Sequence, residues 1–113
     1  MIQIYHNSRC GKSRECLAVL EKSGQEYEII KYLEAVPTFN EMKEIIKKLE
    51  IKPIELVRQK EKIWTENFKN KSLSDDEIIN AMISNPILIE RPIVINGDNA
   101  IIARPLEKVT TIL

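Results

Sequence analysis

Ile2-Gln3-Ile4-Tyr5-His6-Asn7-Ser8-Arg9-Cys10-Gly11-Lys12-Ser13-Arg14 carries the signals of a strand, a turn and a helix start in thirteen residues. Ile2 to Tyr5 alternates apolar and polar residues, the pattern of a first strand. Asn7 to Gly11 then supplies turn-forming residues. From Lys12 to Lys22, the apolar residues Cys16, Leu17, Val19 and Leu20 fall on a helical stripe, and Ser23-Gly24 is a helix stop. Tyr27 to Ile30 reads as a second strand. Strand, helix and strand within about thirty residues predict a βαβ unit with a parallel pair.

Downstream, Thr38-Phe39-Asn40-Glu41 has capping-box spacing and predicts a helix with Met42, Ile45, Ile46 and Leu49 inward. Pro53 opens a shorter helical piece ending near Val57-Arg58. Ser74-Asp75-Asp76-Glu77 is a second capping box, heading a helix that Pro86 closes or kinks. Ile93-Val94-Ile95 and Ala100-Ile101-Ile102 read as short strands joined by Asn96-Gly97-Asp98-Asn99, a strong hairpin signal. Pro105 suits the first turn of a closing helix. Gln59 to Ser72, polar and Lys-rich around Trp64 and Phe68, is expected as a mobile loop. The order is β-α-β, a helical middle, then β-β-α. It predicts an α/β, thioredoxin-like fold with a mixed four-stranded sheet and a helical insertion over roughly residues 38–90.

The 113 residues suit one domain, residues 1–113. Hydrophobic residues make up 43% and charged residues 30%, a globular balance. Seventeen basic and seventeen acidic residues cancel, which argues against a nucleic-acid binder working by bulk electrostatics. No apolar run approaches the roughly 20 residues that span a bilayer, so no membrane partner is expected. Met1 to Tyr5 lacks the basic start and long apolar stretch of a signal peptide, so the expected location is cytoplasmic. Two cysteines in such a chain read as chemistry or packing rather than as a disulfide framework.

Cys10 sits where the first strand gives way to the first helix. Unpaired amides and the positive end of the helix dipole favour an anion there, so a nucleophilic thiolate is expected. Arg9, Lys12 and Arg14 add positive charge, and Ser13 can donate a hydrogen bond. Cys16 differs. Six helical residues rise about 9 Å, beyond the roughly 4.4–6.8 Å usual between disulfide-bonded α-carbons. Core packing is its expected role, leaving a monothiol site that an external thiol must reset. Gly11-Lys12-Ser13 resembles the end of a phosphate-binding P-loop, but that motif needs Gly where His6 stands. A C-x5-R phosphatase loop would need Arg at position 16. One His and two cysteines so placed cannot supply a usual zinc set, so neither metal nor bound cofactor is expected. His6 reads equally as a tuner of the thiolate and as a polar residue closing a strand.

Binding an oxyanion calls for fixed positive charge, which guanidinium supplies with a planar fork of donors. Arg58, Arg91 and Arg104 sit at element ends. Taken alone, each reads first as a solvated surface charge. Arg91 and Arg104 stand out because each precedes a proline beside an apolar strand.

Together these residues resemble the glutaredoxin-dependent arsenate reductase family of the thioredoxin superfamily. The run His6-Asn7-Ser8-Arg9-Cys10-Gly11-Lys12-Ser13-Arg14 is close to the family pattern H-N-P-x-C-x-x-S-R, with Ser8 in place of the usual Pro. The likeness continues through Tyr32-Leu33, Pro37-Thr38, Leu56-Val57-Arg58, Asn85 to Val94, and Arg104-Pro105. The resemblance implies that the Cys10 thiolate attacks arsenate or another small oxyanion held by Arg58, Arg91 and Arg104. It also implies that glutathione is the co-substrate and glutaredoxin the partner that resets Cys10. His6 and Ser13 carry over as tuners of the thiolate, and Pro92 as the superfamily's cis-proline. A general glutathione-dependent thiol reductase and a Spx-type redox regulator of RNA polymerase share the scaffold. The first need not keep the arginine set. The second commonly carries C-x-x-C, where this chain has Ser13. Monothiol glutaredoxin shares only Cys10-Gly11-Lys12-Ser13.

Overall fold

The computed structural model describes all residues, Met1–Leu113. Strand β1 (Ile2–Tyr5), helix α1 (Gly11–Ser23) and strand β2 (Tyr27–Ile30) come first. Helices α2 (Phe39–Leu49), α3 (Lys62–Asn67) and α4 (Asp75–Ser84) follow, with 3₁₀ segments at Pro53–Leu56 and Pro86–Leu88. Strands β3 (Ile93–Asn96) and β4 (Asn99–Ile102) and a 3₁₀ segment, Leu106–Thr111, close the chain. Two compact units result: Met1–Ala35 with Arg91–Leu113, and Val36–Glu90.

The first unit holds a four-stranded sheet in the order β2-β1-β3-β4. β1 pairs parallel with β2, matching Ile2 to Tyr27, and antiparallel with β3, matching Ile4 to Val94. β3 pairs antiparallel with β4. This is the mixed sheet of a thioredoxin-like fold. Its central strands are the buried ones: Ile4 and Val94 are fully enclosed, packed with Ile2, Cys16, Leu20, Ala103 and Val109. The helical stripe of α1 thus meets one face of β1 and β3, which is why apolar period and strand alternation coexist in one short stretch. Gly24, at φ +73, ends α1 in the left-handed conformation that glycine adopts without strain. Gly97, at φ +64, serves the two-residue β3–β4 turn, with Asn96 opposite Asn99. The Arg91–Pro92 and Arg104–Pro105 peptide bonds are both cis.

In the second unit, Thr38 and Ser74 each accept a bond from the amide three residues on, and Glu41 and Glu77 reach back to the cap amides. Both capping boxes form as the spacing predicts. Met42, Ile45 and Ile46 of α2 and Ile78, Ile79 and Met82 of α4 are buried.

Two segments differ from expectation. Gln59–Ser72 is not one irregular loop, because it contains α3. Trp64 and Phe68, one helical turn apart, stack with ring centroids 5.4 Å apart, and Trp64 is buried. Burying that ring offsets the low apolar content around it. The C-terminal segment is 3₁₀ rather than α-helical: it is six residues long, with Val109 as its buried residue, and short runs suit the tighter turn.

Candidate active site

The link between β1 and α1 is a tight turn held by several hydrogen bonds. The Cys10 amide donates to the Asn7 carbonyl at 3.0 Å, and the Arg9 amide donates to Asn7 Oδ1 at 3.0 Å. The Arg14 amide then donates to the Cys10 carbonyl, the first helical bond. Cys10 is therefore the N-cap of α1, in extended backbone conformation, with its side chain free of any capping bond. Its sulfur is partly exposed. Burial would push the thiol up. That effect is outweighed by the Ser13 amide, the Arg91 guanidinium and the Lys12 amide, so the thiol ionises below its ordinary range.

Two arginines from the far end of the chain meet this sulfur. Arg104 Nη2 lies 3.6 Å from Cys10 Sγ, and Arg104 Nε donates to the Arg91 carbonyl at 2.7 Å. The Arg91 guanidinium also favours the ionised form of Cys10. The β3–β4 hairpin sets this up: its two strands run side by side, the Ala103 amide bonds the Pro92 carbonyl, and the residues flanking the hairpin come together.

Beneath the turn, Ser13 is fully buried. Its Oγ accepts from the Asn7 amide at 3.0 Å and lies 2.7 Å from His6 Nδ1. His6 is 6% exposed. Its burial, and then the charges of Lys31 and Arg14, hold the imidazole below its ordinary value of 6.5 against the hydrogen bond to Ser13. The ring is thus neutral near pH 7 and linked to the helix turn that carries the nucleophile. Arg14 Nη1 donates to the Ser8 carbonyl at 3.0 Å and ties the turn from outside. Both Arg14 and Lys31 act beyond bulk charge. Lys31 was findable from the sequence, because parallel pairing of Tyr5 with Ile30 leaves the next residues adjacent.

Arg58 belongs to the second unit. Its Nε is 3.2 Å from Glu61 Oε1 and its Nη1 is 2.9 Å from Glu90 Oε1. Burial alone would lower its pKa, but the two carboxylates raise it above the ordinary arginine value. Cys16 has no access to solvent, and burial pushes its thiol up to about 11. Both cysteines are free. No group of three or more His, Cys, Asp or Glu side chains is placed to hold a metal ion.

A family model described as the ArsC family matches residues 5–112. The chain belongs to the ArsC family. An arsenate reductase of Haemophilus influenzae is 46% identical over 112 residues, covering 97% of each chain. The Escherichia coli K12 protein YfgD is 43% identical over 114 residues, covering 99% of this chain and 96% of its own. A solved structure of an arsenate reductase from Vibrio cholerae superposes with a TM-score of 0.94 at 43% identity, covering 99% of this chain and 97% of that one. For an ArsC-family chain, the surroundings of Cys10 offer a thiol held below its ordinary range, the Arg104 guanidinium at its sulfur, the charge of Arg91 and a histidine linked through Ser13. That set can attack an electrophilic centre and stabilise the negative charge on its oxygens.

Proposed function

We propose that the chain reduces arsenate to arsenite, with Cys10 as the nucleophile and Arg91 and Arg104 as the oxyanion clamp. The observation that carries this reading is Arg104 Nη2 at 3.6 Å from the Cys10 sulfur, with the Arg91 guanidinium also holding that thiol below its ordinary range. The thiolate attacks arsenic and displaces an oxygen as water, giving a Cys10–arsenic(V) adduct. A glutathione thiolate then bonds to Cys10 Sγ. The S–As bond breaks with its electron pair going to arsenic, arsenite leaves, and two thiols have become a disulfide. Glutaredoxin reduces that Cys10–glutathione disulfide. A free, low-pKa thiol of this kind suits a reducing cytoplasm.

The test is arsenate-dependent NADPH consumption by the full chain, coupled through glutathione, glutaredoxin and glutathione reductase. Arg91→Ala and Arg104→Ala are each expected to lower kcat/KM for arsenate by about 10²-fold or more, as removal of an oxyanion donor does. Lysine should restore only part of that, since it lacks the planar fork. No arsenate turnover by the intact chain would overturn the reading.

One observation favours a second reading, a glutathione-dependent thiol reductase. Arg58, the third arginine of the resemblance, is already engaged by Glu61 and Glu90. Reduction of a neutral mixed disulfide brings no oxyanion to the site. If the arginine substitutions depress arsenate and disulfide reduction equally, the second reading holds.

A further inference from the structure

Beside the turn that carries Cys10 lies a hollow of about 230 Å³, walled by Ser8 and Arg9 on one side and by Lys31, Leu33 and Glu34 on the other. His6 lines it from within. Cys10, Arg91 and Arg104 do not, so it adjoins the oxyanion clamp without being part of it. The wall after β2 is a firm turn: the Glu34 and Ala35 amides both donate to the Lys31 carbonyl, at 3.0 and 2.8 Å. β1 and β2 hold the two walls together, since the His6 amide donates to the Ile30 carbonyl at 2.9 Å.

Three charged side chains surround this hollow, and none is ion-paired: Arg9 and Lys31 are cationic, Glu34 anionic. Arg58, with a carboxylate on each side, is the opposite case. Leu33, 40% exposed, adds an apolar strip. A simple oxyanion would meet Glu34 as a repelling neighbour and leave Leu33 unused. A small neutral thiol would use none of the three charges. A ligand matching both signs is an amino-acid head group, whose carboxylate suits Arg9 and Lys31 and whose ammonium suits Glu34.

We propose that this hollow binds the zwitterionic head of a peptide thiol, glutathione in the reaction above, with Arg9 and Lys31 on its carboxylate and Glu34 on its ammonium. The inference rests on the reading that a thiol co-substrate attacks at Cys10. It adds where that co-substrate is held, in a hollow lined by Ser8, Arg9, Lys31 and Glu34 and not by the arginines of the oxyanion clamp. Oxyanion and thiol then occupy separate sites and are bound together.

The test uses the reduced, full-length protein and S-methylglutathione, whose blocked sulfur cannot react with Cys10. Titration followed by amide NMR should give saturable shifts at Ser8, Arg9, Lys31 and Leu33. Lys31→Glu and Arg9→Glu should each weaken binding about tenfold or more, and so should the diethyl ester of the probe, which lacks carboxylates. Both positions are exposed, so charge reversal there leaves the core intact. The His6 ring supplies a check on the folded site: Lys31 depresses its titration, so Lys31→Glu should move the midpoint upward. Shifts confined to other surfaces, or affinities within about twofold of the parent in both variants, would each overturn the proposal. Binding here without arsenate turnover would refute the proposed function alone. Glutathione-dependent turnover without binding here would refute this subsite alone.

Discussion

Ser13 serves Cys10 through its main chain and His6 through its side chain, and substitution separates the two. Its amide helps to hold the Cys10 thiol low, while its buried Oγ satisfies the Asn7 amide and meets His6 Nδ1. Ser13→Ala should therefore leave the thiol below its ordinary range but cost about 1–3 kcal/mol of stability, because buried polar groups lose their partner. The pH profile of iodoacetamide alkylation reads the first effect and a denaturant midpoint the second. Arg91→Ala should do the reverse, moving the alkylation profile to higher pH with a small effect on stability. His6 adds a pH dependence of known sign. Its folded-state pKa lies below the ordinary 6.5, so the unfolded chain takes up the proton first as pH falls. The stability it contributes is present above 6.5 and is lost as pH falls through the folded midpoint. His6→Gln should flatten the decline in denaturant midpoint between about pH 7 and pH 5. Cys10 was readable from its place between strand and helix, because helix ends act on neighbours whatever the rest of the fold does. The Ser13–His6 link and the Arg14 bond to Ser8 were not, since they depend on rotamers fixed only by packing.

Helix α2 starts where Thr38 and Glu41 exchange bonds, and α4 where Ser74 and Glu77 do. Thr38→Ala and Ser74→Ala should each cost about 1 kcal/mol, and the glycine variants only a few tenths, measured by thermal or denaturant unfolding. Asp75 and Asp76 sit in the first turn of α4, where negative charge complements the helix dipole, so high salt should narrow the Ser74 effect little and the dipole effect more. These boundaries were legible because a cap is a contract among four neighbouring residues. The same holds for the β3–β4 turn, which Gly97 makes with a positive φ. Helix α3 was not legible. It spans six residues, and what holds it is the burial of Trp64 and its stacking on Phe68. No periodicity develops over so short a run.

The order of elements along the chain, α3 apart, was legible because each of the other strands and α-helices was signalled locally. What brings Arg91 and Arg104 to Cys10 was not, since it takes the hairpin and the first turn to meet across more than eighty residues of sequence. A ligand that binds that meeting point stabilises the folded chain as a whole. Phosphate, as an unreactive oxyanion, should raise the melting temperature and slow Cys10 alkylation, with about 2.7 kcal/mol of added stability at a hundred times its Kd. Arg104→Ala should abolish both effects. The enclosure of Cys16 has a further consequence for the molecule in an oxidising medium. With one sulfur sealed in the core and one at the surface, each chain has a single valence for cross-linking. Peroxide in the absence of small thiols can therefore join two molecules and no more. A non-reducing gel should show one band above the monomer, with no ladder beyond it.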